Sequence, residues 1–398
     1  MTTSFDAIRR SYRQTEVGII PDDWDVQPLG ALTLRMTNGF VGPAIRHYTN
    51  STDGILYIQG YNIKENSFEF HGIKYVTQEF HKRNMKSCLR VGDMLTVQTG
   101  DVGLTAVVSE KIAGSNCHAL IISRFDKNKV QSNFISFYLN SEPGRSRLRL
   151  IETGTTMKHL NVGDMLFFLV PLPPTLAEQQ AIAEALGDAD AWIESLEKLI
   201  AKKRDLKQAA MQQLLTGKMR LPGYAGEWEI KPIGKVAPLQ RGFDLPNALL
   251  RSGRFPVVYS NGIANYHRES RVKGPGVVTG RSGTIGNVTF VEDDFWPHNT
   301  SLWVTNFNGN DERFIYYLYT TLSFEQFATG SGVPTLNRNN VHEFKVHLPP
   351  SRAEQQAIAG VFADIDSELA ILGIKLAKAK QIKQGMMQQL LTGMVRLV

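Results

Sequence analysis

The chain has 398 residues, 42% of them hydrophobic and 21% charged, which allows two globular cores and excludes a disordered protein. Its net charge of +6 is compatible with a polyanionic partner without requiring one. The two cysteines form no CxxC motif, the N-terminal residues do not resemble a signal peptide, and the longest apolar runs are far shorter than the roughly 18 residues of a membrane span. We therefore expect a soluble, cytoplasmic protein without a disulfide framework.

Residues 1–171 and 222–346 are predicted to form two similar domains of mixed strands and helices. Their β-branched and aromatic runs, such as GVVTG and SLWVTNF, are short and are separated by Gly, Asn and Pro. The two regions also share anchor motifs. WDVQPLG at 24–30 parallels WEIKPIG at 228–234, and TGDVG at 99–103 parallels SGTIG at 282–286. The stretches between the anchors differ, as expected for one scaffold that carries different binding loops.

Each domain is followed by a copy of one long helix, at 172–221 and at 347–398. EQQAIA at 178–183 returns at 354–359 and MQQLLTG at 211–217 returns at 387–393, so both pairs are offset by 176 residues. Thr175 and Ser351 are predicted N-caps, and the glutamate three residues later predicts a capping box. Gly217 and Gly393 suit the C′ position. A helix of about 40 residues would be roughly 60 Å long.

A heptad pattern and a charge gradient run along each helix. The first seam is Ile182, Leu186, Ala189, Ile193, Leu196, Ile200, Lys203, Lys207, Ala210 and Leu214, and the second copy keeps the same register. The first half of each helix is acidic and the second half is basic, so antiparallel packing would place opposite charges side by side. The alternative is that each gradient only complements its own helix dipole.

This order of two variable domains and two repeated helices closely resembles the specificity subunit of type I restriction-modification systems, over nearly the whole chain. The most specific features are the LPP-x-x-AEQQAIA and MQQLLTG pairs, the domain starts, and the turn Arg281–Gly286. The first domain departs at that turn with Thr99–Gly103, which argues against a shared role for an arginine there.

The resemblance implies an α+β fold, with two target-recognition domains separated by two long helices packed as an antiparallel coiled coil. In that family each domain reads one half of a bipartite DNA target. The helices space the halves and dock two methyltransferase subunits, which act together with restriction/translocase subunits. S-adenosylmethionine, ATP and Mg²⁺ are then expected in the partner subunits, with no cofactor in this chain.

The sequence itself contains no recognisable catalytic motif. Leu215-Thr216-Gly217-Lys218 is the nearest fragment to a P-loop, but it ends a helix and does not open one. No Asn-Pro-Pro-Tyr-like tetrapeptide is present, and the nine histidines lack metal-ligand spacing. No catalytic or metal-binding residue is therefore expected.

Candidate DNA contacts are polar or basic side chains on projecting loops and short helices, because such groups reach base edges and phosphates. For each of them a solvated surface residue or a turn former is the alternative, and Gly283 and Gly286 are predicted to form a turn. In the first domain the candidates are Asn38, Tyr61, Asn62, Lys82, Arg83, Thr99, Arg145, Arg147, Arg149 and Lys158. In the second they are Gln240, Arg241, Tyr259, Asn261, His267, Arg268, Arg281, Ser282 and Arg338.

Two other functions compete with DNA recognition. One is a coiled-coil scaffold whose terminal domains bind protein partners, and the other is a self-sufficient nuclease. The affinity for random duplex DNA as a function of salt separates the scaffold from a DNA reader, because only the reader releases counterions on binding.

Overall fold

A computed structural model describes residues 11–329 and 334–397, and the chain divides into two compact units. The first unit comprises Met1–Ser195 with Leu376–Val398, and the second comprises Leu196–Lys375. Each unit therefore contains one globular domain and one part of each long helix. None of the helices in these described ranges combines the length and the apolar composition of a membrane-spanning segment.

From residue 11 onward the first domain contains short strands, many of them two to four residues long, and five α-helices. The strands are β1 (Tyr12–Thr15), β2 (Gly18–Pro21), β3 (Asp25–Pro28), β4 (Thr33–Asn38), β5 (Tyr48–Thr49), β6 (Ile55–Ile58), β7 (Ile63–Lys64), β8 (Ser67–Phe68), β9 (Lys74–Val76), β10 (Met94–Val97), β11 (Thr105–Val107), β12 (Asn116–Cys117), β13 (Leu120–Phe125) and β14 (Leu169–Leu172). The helices are α1 (Leu29–Leu32), α2 (Gln78–Arg83), α3 (Ser132–Asn140), α4 (Glu142–Ile151) and α5 (Val162–Leu166).

The described part of this domain contains three two-stranded sheets and two four-stranded sheets. One is antiparallel in the order β11-β10-β13-β4, and the other has the order β12-β6-β9-β5 with β12 and β6 parallel. All four residues of β10 are buried, as expected for a central strand covered on both faces. Helix α3 packs on this sheet, and its Phe134 and Ile135 share a core with Met94 and Ile121.

The first long helix, α6 (Leu176–Leu214), leads into a second domain of similar topology. Its strands are β15 (Glu229–Pro232), β16 (Leu239–Arg241), β17 (Phe255–Tyr259), β18 (Gly262–His267), β19 (Gly276–Gly280), β20 (Val288–Val291), β21 (Trp296–Pro297), β22 (Ser301–Val304), β23 (Ala328–Thr329), β24 (Thr335–Leu336) and β25 (Lys345–Leu348). Its helices are α7 (Ile233–Val236), α8 (Glu312–Thr320) and α9 (Arg338–Glu343), and the second long helix is α10 (Arg352–Leu390).

The sheet orders show that the two domains share one scaffold. The main sheet of the second domain has the order β16-β22-β19-β20, which repeats β4-β13-β10-β11, and β17 pairs in parallel with β21 as β6 does with β12. In both domains the last strand pairs with the strand of the WDVQP or WEIKP anchor. The prediction of two similar mixed α/β domains is confirmed.

The anchor turns also match in backbone conformation. Gly100 and Gly103 have φ values of +93° and +82°, and Gly283 and Gly286 have +83° and +82°. These left-handed values favour glycine, so all four residues shape the turn, as predicted for the second domain.

The two long helices each span 39 residues and start 176 residues apart, so they lie inside the two predicted repeat segments. Every residue of the predicted seam of α6 is buried or half-buried. The domain boundaries at 171, 221 and 346 stay predictions.

Ion pairs within each unit show that the two helices run antiparallel. In the first unit Lys383 lies 2.5 Å from Asp190. In the second unit Lys207 lies 2.6 Å from Asp366, and Lys203 pairs with Glu368. Basic residues from the second half of each helix thus meet acidic residues from the first half of the other. The predicted antiparallel coiled coil is confirmed, and the charge gradients do more than complement their own dipoles.

The ends of the helices are fixed by a buried ion pair in each unit. Thr175 and Ser351 cap α6 and α10 as predicted, accepting hydrogen bonds from the backbone N–H groups of Glu178 and Glu354, both at 3.2 Å. The two carboxylates bind Arg396 and Arg220, in place of the reciprocal bond of a capping box. Arg396 thereby ties the C-terminal segment to the start of α6, as an antiparallel pair of helices requires.

Candidate nucleic-acid interface

Three arginines converge on one cavity in the second domain. The cavity has a volume of about 690 Å³. Its described lining is Gln240, Arg241, Gly242, Phe243, Arg281, Leu302, Thr329, Thr335, Leu336, Asn337 and Arg338. Four of the predicted DNA contacts, Gln240, Arg241, Arg281 and Arg338, therefore lie together although they are up to 98 residues apart in the sequence. A polar cavity with three guanidinium groups suits a ligand rich in hydrogen-bond acceptors.

Backbone contacts explain why these arginines meet. An added Cβ on Gly242 would overlap the carbonyl oxygens of Pro297 and His298, so only glycine lets the end of β16 approach this segment. Phe243 then donates its N–H to Pro297 at 2.8 Å. On the other side the N–H of Leu336 donates to the carbonyl of Arg281 at 2.8 Å, which places the start of α9 beside the anchor turn.

The three arginines differ in their partners. Nη2 of Arg241 donates to Oδ1 of Asp244 at 2.8 Å, and the same oxygen accepts a hydrogen bond from Asn299. The hydrogen bond from Asn299, followed by the charge of Arg241, holds the pKa of Asp244 below its usual value. In the described parts of the chain neither Arg281 nor Arg338 donates a hydrogen bond from its guanidinium group.

The first domain has neutral residues at the three equivalent positions. Gln98 replaces Arg281, because its carbonyl accepts a hydrogen bond from the N–H of Leu160 just as the carbonyl of Arg281 accepts one from the N–H of Leu336. Asn38 replaces Arg241, since each precedes a glycine and a phenylalanine that bind the same strand region. Val162 follows the cap of α5 as Arg338 follows the cap of α9. The two domains thus present different chemistry on one scaffold.

The remaining candidates vary in exposure. The exposed candidates are Tyr61, Lys82, Arg83, Thr99, Arg149 and Lys158 in the first domain, and Gln240, Arg241, Asn261, Arg268 and Arg338 in the second. The half-buried candidates are Asn38, Arg145, Arg147, Tyr259, Arg281 and Ser282. Thr99 and Lys158 lie near each other, because Thr99 bridges His159. Arg145 also lies against the turn Thr99–Gly103, since its Nη1 is 3.5 Å from the Cβ position of Gly103, and the segment before Tyr61 approaches it, since the Cβ position of Gly60 is 3.8 Å from the carbonyl oxygen of Thr99. Lys82 and Arg83 belong to α2 and Arg149 to α4.

Three candidates have structural roles. Asn62 is fully buried and its side-chain amide donates to the carbonyl of Glu69 at 2.9 Å. His267 is 4% exposed and bonds to the backbone of Glu269 and Leu249. Arg147 bonds to Tyr138 and to the carbonyl of Leu169. Because the first two are buried among internal partners, they cannot reach a base edge, contrary to the prediction.

The sequence interpretation missed a repeated Gly-Phe pair and a histidine that faces it. Phe40 forms a parallel bridge with His118, and Phe243 forms the same bridge with His298. His118 bonds to the hydroxyl of Tyr57 at 3.0 Å, and His298 to that of Thr300 at 3.0 Å. Burial lowers the pKa of both histidines. The recurring dipeptide at 39–40 and 242–243 was the signal that a comparison of the chain with itself could have used.

A substitution tests the close approach beside Arg241. We expect Gly242→Ala to lower the free energy of unfolding by about 1–3 kcal/mol, because the new methyl group must displace backbone carbonyls. Gly187→Ala is the matched control. Nothing lies within 4 Å of its Cβ position in α6, so it should stabilise the protein by about 0.5–1 kcal/mol. Urea unfolding measures both, and equal stabilities would contradict the assigned role of Gly242.

Comparison with known proteins decides the family. The family model described as "Type I restriction modification DNA specificity domain" matches residues 37–203 and again 225–381, which together are most of the chain. The chain belongs to this family. The two matches each cover one recognition domain and the first part of the long helix that follows it.

Similar proteins are also specificity subunits of type I restriction enzymes. This chain is 22% identical over 97% of both chains to a putative type I restriction enzyme MjaX specificity subunit of Methanocaldococcus jannaschii. It is 24% identical over half of its length, and over 43% of the relative, to the type I restriction enzyme EcoBI specificity subunit of Escherichia coli. These matches favour DNA recognition over the protein-binding scaffold.

Solved structures share the fold. The crystal structure of a type I restriction-modification S subunit from M. genitalium superposes with a TM-score of 0.63 at 17% identity, covering 92% of this chain and 96% of that one. A chain from a structural study of type I system assembly and conformational transition gives a TM-score of 0.57 at 16% identity, covering 94% and 99%.

Proposed function

We propose that each recognition domain reads one half of a bipartite duplex DNA target and that the second domain does so through its three-arginine cavity. The observation that carries the proposal is the shared scaffold with different chemistry at equivalent positions. Arg241, Arg281 and Arg338 stand where the first domain has Asn38, Gln98 and Val162. Different polar side chains on one framework select different base edges.

We further propose that the paired helices dock methyltransferase subunits. In the second unit Leu199, Leu206, Ile371 and Ile374 on these helices are 40–70% exposed. Exposed apolar side chains gathered on paired helices favour a protein partner. One structural neighbour comes from a study of complex assembly in a type I system, which supports a multi-subunit complex.

Catalysis is assigned to those partners. S-adenosylmethionine would serve the methyltransferase subunits, and ATP and Mg²⁺ the restriction/translocase subunits. Incubating the purified chain with Mg²⁺ and supercoiled plasmid tests this assignment. We expect no nicking or linearisation, whereas cleavage that copurifies with the chain would show a nuclease of its own.

Salt dependence tests DNA binding directly. The logarithm of the affinity for random duplex should fall linearly with the logarithm of the salt concentration, because each neutralised phosphate releases counterions. A protein-binding scaffold would show no DNA affinity at low salt.

Replacing one domain tests independent reading. We expect that exchanging residues 222–346 for the equivalent domain of another specificity subunit changes one half of the methylated target and leaves the other half intact. The physical reason is that each domain has its own core and its own candidate surface. Methylome sequencing of a host that expresses the complex gives both half-sites. A chimera that changed both halves together would contradict independent reading.

A further inference from the structure

We propose that Arg241 reads a guanine in the second half-site, and that the first domain, with Asn38 at the equivalent position, has no such contact. This inference rests on the proposed function. It assigns one residue of the cavity, Arg241, to one base of the target.

Two neighbouring side chains orient the partly exposed guanidinium group of Arg241. Its Nη2 is held 2.8 Å from Asp244, and Asp244 is itself held by Asn299. Gly242 anchors the backbone immediately afterwards. With Nη2 bound to Asp244, the guanidinium group has its remaining N–H donors free of the carboxylate. Two parallel donors match the O6 and N7 acceptors on the major-groove edge of guanine.

The carboxylate also favours a base over a phosphate. Asp244 offsets the charge of Arg241 and would repel a phosphate placed close to the pair. A guanine edge is neutral, so it receives the same hydrogen bonds without that repulsion. Arg281 and Arg338 have no such acidic partner in the described residues, and these two suit the flanking phosphates.

The surrounding cavity is consistent with a flat base edge. Phe243, Leu302 and Leu336 contribute apolar walls, and Gln240 adds an amide beside Arg241. In the first domain the corresponding Asn38 is half-buried on β4. Its amide lacks the forked donor geometry that pairs with O6 and N7 of guanine. The difference between the domains therefore predicts different bases at corresponding places in the two half-sites.

The test uses the full chain assembled with the methyltransferase subunits of its own system. The complex selects duplexes from a library in which both half-sites are randomised, and the domain exchange described above assigns the halves. We expect a guanine in the half read by the second domain. Arg241→Asn should reduce discrimination at that one position by roughly ten- to hundredfold, with the first half-site unchanged.

Two further variants serve as controls for a local folding defect. Arg241→Lys keeps the charge but loses the planar fork, so it should weaken the guanine preference while it retains overall affinity. Asp244→Asn keeps Arg241 but removes its carboxylate. It should weaken discrimination and strengthen binding to random duplex, with a steeper salt dependence. The retained first half-site is the internal control for each variant.

The outcomes separate this inference from the proposed function. If Arg241→Asn weakened all sequences equally and lowered the salt slope by about one, Arg241 would be a phosphate contact and the inference would be wrong. It would also be wrong if the second half-site lacked guanine or kept its preference in both Arg241 variants. If the unaltered complex selected no bipartite sequence, the proposed function itself would fail.

Discussion

Replacing Arg396 with methionine is expected to lower the free energy of unfolding of the first unit by about 3–5 kcal/mol, because it leaves a buried carboxylate without its partner. The Glu178 side chain is only 1% exposed and that of Arg396 only 8%. Arg396 donates two hydrogen bonds to Glu178 and a third, of 2.8 Å, to Asp23. Hydrogen bonding to Glu178 raises the pKa of Arg396, so the guanidinium group keeps its charge.

The second unit supplies a matched variant. Arg220 binds Glu354, whose side chain is also 1% exposed, and the two arginines are exactly one repeat apart in sequence. Arg220→Met should therefore destabilise the second unit by a comparable amount. Hydrogen exchange on the full chain resolves the two units, since protection should fall in the unit that carries the substitution.

Two controls separate burial from charge. Arg83→Met removes an ion pair with Glu79 in which both side chains are more than 70% exposed, and it should cost well under 1 kcal/mol. The double variant Arg396→Met/Glu178→Met replaces both buried charges with apolar groups and should recover most of the lost stability. If Arg396→Met cost no more than Arg83→Met, the buried pair would contribute little to the closure of the first unit.

The helices could be predicted from the sequence, but these ion pairs could not. The helices could be predicted almost to their ends, because two copies without insertion or deletion must share one register and one seam. Glu178 and Glu354 were interpreted as capping-box residues, since a glutamate three residues after Ser or Thr is typical of that motif. Their actual partners lie 218 and 134 residues away along the chain. Residues so far apart in the chain form no local sequence pattern from which their contact could be predicted.

The candidate DNA interface could be predicted only in part for a related reason. Residue type identified Arg241, Arg281 and Arg338 as able to contact DNA, and the fold then brought them together. The same reasoning selected Asn62 and His267, because residue type does not reveal which polar side chains are buried. The three arginines lie at the end of β16, at the anchor turn and at the start of α9, and these segments meet through close backbone contacts such as that of Gly242 with Pro297 and His298.

The repeated helices lead to a second large expected effect, a change in the gap between the two half-sites. Inserting one helix-favouring heptad after Leu196 in α6 and one after Leu372 in α10 preserves the seam in both helices. Each helix lengthens by roughly 10 Å, at 1.5 Å per residue. If the helices set the separation of the readers, the preferred gap should grow by about three base pairs at 3.4 Å each.

Adding the heptad to one helix alone is the control. It would shift the register of the antiparallel pairs, such as Lys207 with Asp366 and Lys383 with Asp190, and leave one helix unmatched. We expect this variant to be destabilised and to bind poorly at every gap length. The paired insertion should retain both sets of ion pairs and the full helical content.

The paired insertion also changes the rotation of one half-site relative to the other. Three added base pairs also rotate the second half-site by roughly a quarter turn or more, given 10–10.5 pairs per turn, so affinity should fall unless the DNA twists or a domain tilts. Selection from a library with randomised half-sites and variable gap lengths measures gap and sequence together. The half-site sequences should persist because neither recognition domain is altered. An unchanged gap combined with altered half-site sequences would mean that the helices shape the recognition surfaces and do not set their spacing.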